Sequence, residues 1–338
     1  MNGKRSIWIG ILAALIMFLL ILDSKTALVG ATQALELCMK TVIPSLFPFF
    51  VLSNLIVQMI SGRNLKPLYP VGRLYRIPQG SEFLLLIGLI GGYPVGAQCI
   101  SHCYNQGKLG KNDAERMLGF CNNAGPSFIF GMTAHFFSSP IVPWVVWSIQ
   151  ILSAILVSTL LPVYKTEKFT QEMSKEQTSN NIILTAVKSM AVVCGWIVVF
   201  RVILHILNRW LLWIIPEAAA IVLAGLLELT NGCVELCKHS DSVFCFISLS
   251  LLLSFGGLCV GLQTISVSKN LSCKYYFMGK LLQTLVSFPL SCIAVGILFP
   301  GNHVFIMIGS IIIAAISLLL VIRQKYKNYT GNLRRYSI

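Results

Sequence analysis

Charge is scarce in this chain, and negative charge scarcer still. Among 338 residues, 12 Asp and Glu stand against 26 Lys and Arg, and charged residues make up only 11%. Soluble domains carry about 25% charged residues. With 56% hydrophobic residues and a mean hydropathy of +0.77, the chain has too little polar surface to cover a water-soluble core. A soluble enzyme or adaptor is excluded, and the expected solvent is a lipid bilayer. The basic excess, +14 in formal charge, sits in short loops and at the ends. Lys and Arg collect that way in the cytoplasmic loops of membrane proteins, so no nucleic-acid partner is inferred.

Motifs of energised or covalent chemistry are missing too. There is no phosphate-binding Walker loop, no H-E-x-x-H and no nucleophile motif. ATP-driven transport and membrane hydrolysis find no support, and the chain is not read as an enzyme. No cofactor is implied. The eleven cysteines lie mostly in apolar runs, where cysteine behaves as a small hydrophobe. Cys99/Cys103 and Cys233/Cys237 have helical i,i+4 spacing rather than the tighter spacing of metal sites. Neither a metal site nor a disulfide framework is expected.

What is present is a series of charge-free runs. Ile7 to Leu22 is an apolar helix, and Ala27 to Lys40 reads as an interfacial amphipathic segment. Val42 to Gly62 contains Pro44 and Pro48, which predict a broken turn. Phe83 to Gly107 and Met117 to Tyr164 carry no charge and are long enough to cross a bilayer, which takes ~20 residues per helix. Lys165 to Asn181 is the most hydrophilic stretch and reads as a linker. Ile182 to Leu207, Ser242 to Ser268 and Leu281 to Ile322 are further apolar runs. The basic tail carries Arg323, Lys325, Lys327, Arg334 and Arg335 and is expected in the cytoplasm. The expected organisation is residues 1–40 as an N-terminal segment, 41–164 as a first half, 165–181 as the linker, 182–299 as a second half, and 300–338 as a last helix and tail.

The apolar runs are interrupted in their middles. Gly91, Gly92 and Pro94 break the first half, as do Gly125 and Pro126. Gly232, Gly256 and Gly257 mark breaks in the second half. Broken backbone in hydrocarbon leaves N–H and C=O groups unpaired, and it is tolerated only where protein or a water-filled cavity satisfies them. Secondary transporters use such breaks at matching positions of two halves to build substrate and ion sites. The polar residues beside these breaks are the candidate substrate ligands: Gln98, Asn122, Asn123, Ser127, Thr230 and Asn231, with Gln263 nearby. The competing role of each is to satisfy freed backbone groups or bridge helices. Glu228 sits in the second-half break, where a buried carboxylate suits a coupling sodium ion or proton. Arg201 can meet an anionic cargo with its guanidinium fork or snorkel to the membrane surface.

Four segments occur in one order: Val42-Ile-Pro-Ser-Leu-Phe-Pro-Phe-Phe50, Gly91-Gly-Tyr-Pro-Val-Gly-Ala97, Cys121-Asn-Asn-Ala-Gly-Pro-Ser-Phe-Ile-Phe-Gly131 and Gly225-Leu-Leu-Glu-Leu-Thr-Asn-Gly232. The series resembles the YlbJ family of sporulation integral membrane proteins, whose halves carry the nucleoside-recognition or Gate domain. The resemblance covers roughly Leu35 to Leu298. It implies an all-α polytopic fold with discontinuous helices, distantly similar to concentrative nucleoside transporters. It implies carriage of dipicolinic acid across the outer forespore membrane. A nucleoside or other small-solute carrier coupled to sodium or protons remains an alternative, as does a non-transporting scaffold for spore maturation.

Overall fold

A computed structural model describes residues 10–315, apart from 12–13, 16, 19, 61–65, 134–135, 164–181, 212–213, 237–238 and 314. The expected linker and basic tail, and the start of the first apolar run, lie outside the described residues. Those described form helices and turns, with no strand among them.

Helix α1 (Ser24–Leu37) starts on Asp23, whose side chain accepts from the Thr26 N–H. A π-turn over Cys38–Val42 leads into α2 (Ile43–Ile60). The axis bends by 55° between Ser24–Val42 and Leu46–Ile60. The broken turn expected at Pro44 to Pro48 is therefore corrected to a bend, with Pro48 carried inside α2. Then come α3 (Tyr69–Tyr75), α4 (Phe83–Ile90), α5 (Val95–Asn105), α6 (Lys111–Leu118), α7 (Pro126–Thr133) and α8 (Val142–Leu160). After the linker follow α9 (Ile182–Trp210), α10 (Glu217–Leu227), α11 (Leu229–Leu236), α12 (Val243–Phe255), α13 (Gly257–Val267) and α14 (Lys274–Leu298). A short apolar helix, α15 (Val304–Ile313), closes the described chain.

Among the described residues, four helical stretches are long and apolar enough to cross a membrane: α8, α9, α12 with α13, and α14. Counting the bent α1–α2 pair makes five. Helix α14 shows why lipid is the solvent. Lys280, Gln283, Ser287 and Ser291 are buried, while Leu281, Leu285 and Ile297 are exposed. A soluble helix points its apolar stripe inward. Here the polar stripe is inside, where other protein groups satisfy it, and the apolar face is left for hydrocarbon.

Two helix pairs fold back sharply on themselves. A Cβ on Gly96 at the start of α5 would come 2.9 Å from the Cα of Gly88 in α4. A Cβ on Gly232 in α11 would overlap the Cα of Gly225 in α10. Side-chain-free surfaces let the paired backbones touch, as small residues do between membrane helices. The sequence reading is corrected at Gly232, which lies inside α11. The break expected around Glu228 to Gly232 falls at Glu228, whose extended backbone (φ −141°, ψ 114°) separates α10 from α11. The break expected at Gly125 and Pro126 is present, and Pro126 opens α7 at its end, since a helix's first turn needs no N–H from proline.

Candidate functional site

Four helix interruptions meet in one place. They are Gly91 to Pro94 between α4 and α5, Asn122 to Gly125 before α7, Glu228 between α10 and α11, and Gly256 between α12 and α13. Gly92 has φ +78°, and a Cβ there would lie 2.9 Å from the backbone N of Gly125. Gly257 has φ +76°, and its Cβ would lie 3.1 Å from the Gly225 carbonyl oxygen and 3.3 Å from the Leu229 N. Only glycine reaches such dihedrals without steric cost while letting backbone touch backbone. Tyr93 bridges the two halves of this junction. Its hydroxyl donates to the Leu253 carbonyl at 2.8 Å, near the end of α12.

Three of these interruptions, all but Gly256, line a cavity of about 440 Å³, which α13 reaches through Val260 and Gln263. Gly91, Gly92, Tyr93, Gly125 and the Glu228–Thr230 turn line it, and α1, α2 and α9 contribute an apolar wall through Leu37, Val42, Leu46, Val193 and Ile197. Its polar lining includes Ser127, Glu228, Thr230 and Gln263. That balance suits a small solute with an apolar body and a few oriented polar groups.

Glu228 is 3% exposed. Its Oε1 accepts from the Thr230 N–H at 3.0 Å and its Oε2 from the Asn231 N–H at 2.7 Å. The carboxylate thus caps the N-terminus of α11, where unpaired N–H groups carry partial positive charge. Each oxygen keeps lone-pair capacity for a further partner.

The other residues singled out in the sequence divide into groups. Ser127, Thr230 and Glu228 share the first cavity with Gly91, Gly92 and Gly125. Arg201 and Asn231 line a second cavity of about 400 Å³, with Gln33, His205 and Glu235. Arg201 Nη2 donates to Gln33 Oε1 at 3.2 Å, while the Asn231 side-chain oxygen is buried without a hydrogen-bond partner. Gln98, Asn122 and Asn123 line neither cavity. Asn122 ties elements together: its oxygen accepts from the Ala97 N–H at 3.4 Å and its amide donates to Thr264 Oγ1 at 3.0 Å. Gln98 donates to Asn54 Oδ1 at 3.5 Å.

A buried polar network behind Tyr93 escaped the sequence reading. Lys280 Nζ donates to Gln283 Oε1 at 2.7 Å, Asn123 Oδ1 at 3.0 Å and the Tyr93 hydroxyl at 3.4 Å. Gln283 in turn donates to Gln150 Oε1 and Ser153 Oγ, both at 3.3 Å. Gln150 donates to Ser254 Oγ at 2.9 Å. The charge-free run was drawn from Leu281, so Lys280 fell just outside it, although α14 begins six residues earlier at Lys274. The signal that finds it is the polar stripe Lys280, Gln283, Ser287, Ser291 at spacings of three and four.

No protein-family model matches the chain, and no solved structure matches it significantly. Among curated proteins, it is similar to the sporulation integral membrane protein YlbJ of Bacillus subtilis (strain 168). The two are 24% identical over 303 aligned positions, covering 75% of this chain and 74% of that protein. This similarity supports the YlbJ-like resemblance that the order of the motifs suggests.

Proposed function

We propose that this protein is a secondary transporter of a small organic anion, acting by alternating access at the cavity lined by three of the helix interruptions. One observation carries the reading: three separate breaks in helix, at Gly91–Tyr93, Ala124–Gly125 and Glu228, line a single cavity of about 440 Å³. Converging breaks are costly in lipid and are retained where they line a solute path. A non-transporting scaffold has no use for an open volume at its most interrupted point.

Dipicolinate is the cargo that the family resemblance points to, and the cavity's chemistry accommodates it. The apolar wall from α1, α2 and α9 fits a flat aromatic ring, and the unwound backbone offers N–H groups to carboxylates. Glu228 opposes a free anion in the same cavity. It therefore serves as the coupling residue: a sodium ion or proton bound there removes the repulsion and travels with the cargo. The similarity to a sporulation protein supports a place in spore formation, at the outer forespore membrane, with the basic tail on the cytoplasmic side.

The test is uptake into reconstituted liposomes. Labelled dipicolinate is expected to accumulate under an ion gradient and to be competed by unlabelled dipicolinate, not by a nucleoside. Competition by the nucleoside alone would transfer the site to a nucleoside carrier. Absence of uptake for both solutes, under gradients of either ion, would return the protein to a structural role.

A further inference from the structure

Lys280 is a buried amine with no carboxylate partner among the described residues. It lies on the second turn of α14 and is 1% exposed. Its three hydrogen-bond partners, Gln283, Asn123 and Tyr93, are all neutral, and its Nζ lies 5.1 Å from the centroid of the Tyr93 ring. Neutral oxygens and an aromatic face reduce the desolvation penalty of an ammonium without cancelling it. A methionine of similar length would satisfy packing at lower cost. An unpaired charge inside a span is therefore retained for what it binds.

The surroundings say where that ligand comes from. Tyr93 itself lines the transport cavity, and Asn123 immediately precedes Ala124 and Gly125, which also line it. The Tyr93 side chain thus touches both the cavity and the Lys280 amine. The Tyr93 hydroxyl donates its proton to the Leu253 carbonyl, so moving the Tyr93 tip frees one face of Lys280 while Gln283 still holds another. Two opposite charges then flank one cavity: Glu228 in its wall and Lys280 behind Tyr93.

We infer that Lys280 is the carboxylate-recognition residue of the cargo site. When Tyr93 moves aside, a carboxylate of the cargo replaces the tyrosine hydroxyl and the Asn123 oxygen on Nζ, and the ammonium gains the anion it lacks. This deepens the transport reading and rests on it. It assigns the cargo class by chemistry: an apolar body bearing at least one carboxylate, oriented with that carboxylate toward α14 and away from Glu228.

The experiment compares pyridine-2,6-dicarboxylate with its neutral counterpart, pyridine-2,6-dicarboxamide, in liposomes carrying the full chain. The native protein is expected to take up the dicarboxylate and discriminate against the diamide. Lys280→Met should lower dicarboxylate uptake on the order of 100-fold, the usual cost of removing one member of a desolvated charge pair, and so erase the preference for the dicarboxylate over the diamide. Gln283→Glu gives the lysine an internal carboxylate one helical turn away and keeps it paired, so the fold survives even where the methionine variant does not. It should suppress dicarboxylate uptake as well, and Lys280→Arg should retain most of it. Melting in detergent establishes that each variant is folded. If the native protein carries neither solute, the transport reading fails and takes this inference with it. If it carries both solutes equally well, or if folded Lys280→Met or Gln283→Glu carries the dicarboxylate at the native rate, recognition by Lys280 is overturned while transport stands.

Discussion

Tyr93 and Gly256 meet ring against backbone: a Cβ on Gly256 would lie 3.2 Å from the tyrosine's Cζ and hydroxyl oxygen. The tip of one folded helix pair is thereby seated in the interruption of the α12–α13 span. Gly256 has φ +83°, a conformation that costs an L-residue roughly 1–2 kcal/mol. Gly256→Ala should lower stability by about that amount, because the ring it meets can tilt. Gly92→Ala should cost more, about 3 kcal/mol or above when overpacking is added to backbone strain. Its Cβ would press on the Gly125 backbone at 2.9 Å, which cannot rotate out of the way. Thermal melting in detergent gives the order, and equal losses would mean that the two breaks do not pack as described.

Glu228 has two roles that substitution separates. Its carboxylate caps α11 through the N–H groups of Thr230 and Asn231, and it lines the cavity. Glu228→Ala removes both roles and should cost about 1–2 kcal/mol of stability through the lost cap. Glu228→Gln keeps one oxygen acceptor and most of the fold but cannot ionise. Under the proposed coupling, its uptake should no longer respond to the ion gradient. Gradient-driven uptake persisting in the glutamine variant would leave Glu228 as a helix cap alone.

The places where the chain breaks were legible because glycine and proline announce them: Gly91, Gly92 and Gly125 are visible in any reading, as are Gly256 and Gly257. The break around Glu228 was legible as a stretch, but not which of its residues makes it. Gly232 looks like a breaker, yet its missing side chain serves close packing against Gly225, and the turn is made by an ordinary glutamate. Sequence cannot distinguish a glycine that bends a helix from one that admits a neighbour, because both uses follow from the same absent Cβ. The candidate ligands divide for a similar reason. Asn122 stands beside a break but is spent on Ala97 and Thr264, since freed backbone and adjoining helices compete with any solute for its amide. Lys280 was missed because charge at the edge of an apolar run looks interfacial until the helix is known to begin at Lys274.

Arg116 is, among the described residues, a second fully buried basic side chain, 1% exposed, and its role is structural. Its guanidinium donates to the backbone carbonyls of Arg76 at 2.9 Å, Tyr75 at 3.2 Å and Ser158 at 2.5 Å. The first two close α3, and the third lies in the last turn of α8. Three helix ends are thus tied by one side chain, α6 supplying the donor. Phe120 lies below it, 5.0 Å from ring centroid to Cζ. Arg116→Met leaves those carbonyls without this donor and should cost about 3 kcal/mol or more, at ~1–3 kcal/mol for each buried group left unpaired. Arg116→Lys should fall between, because a single ammonium cannot span the same fork. Melting of the two variants in detergent tests this, and a neutral methionine substitution would show that water or rearrangement replaces the guanidinium.

A pH-dependent clasp joins two loops outside the spans. Asp241 Oδ2 accepts from the Ser138 hydroxyl at 2.6 Å, and its Oδ1 accepts from the Ser138 N–H at 3.0 Å. The Asp241 N–H donates to the Phe136 carbonyl at 2.8 Å. The hydroxyl hydrogen bond first, and the backbone one next, hold the Asp241 carboxyl below its ordinary value of 3.8. A folded-state value lower than the unfolded one means that the unfolded chain binds the proton more readily. The clasp's stabilisation is therefore complete above pH 3.8 and drains away as the pH falls from there through the lowered value. Asp241→Asn should melt below the native protein at pH 7, and the gap between them should narrow below pH 4. Ser138→Ala, which keeps the backbone donor, should show a smaller gap with the same pH dependence. A gap that stays constant from pH 7 to pH 2 would mean that ionisation of Asp241 contributes nothing to holding these loops together.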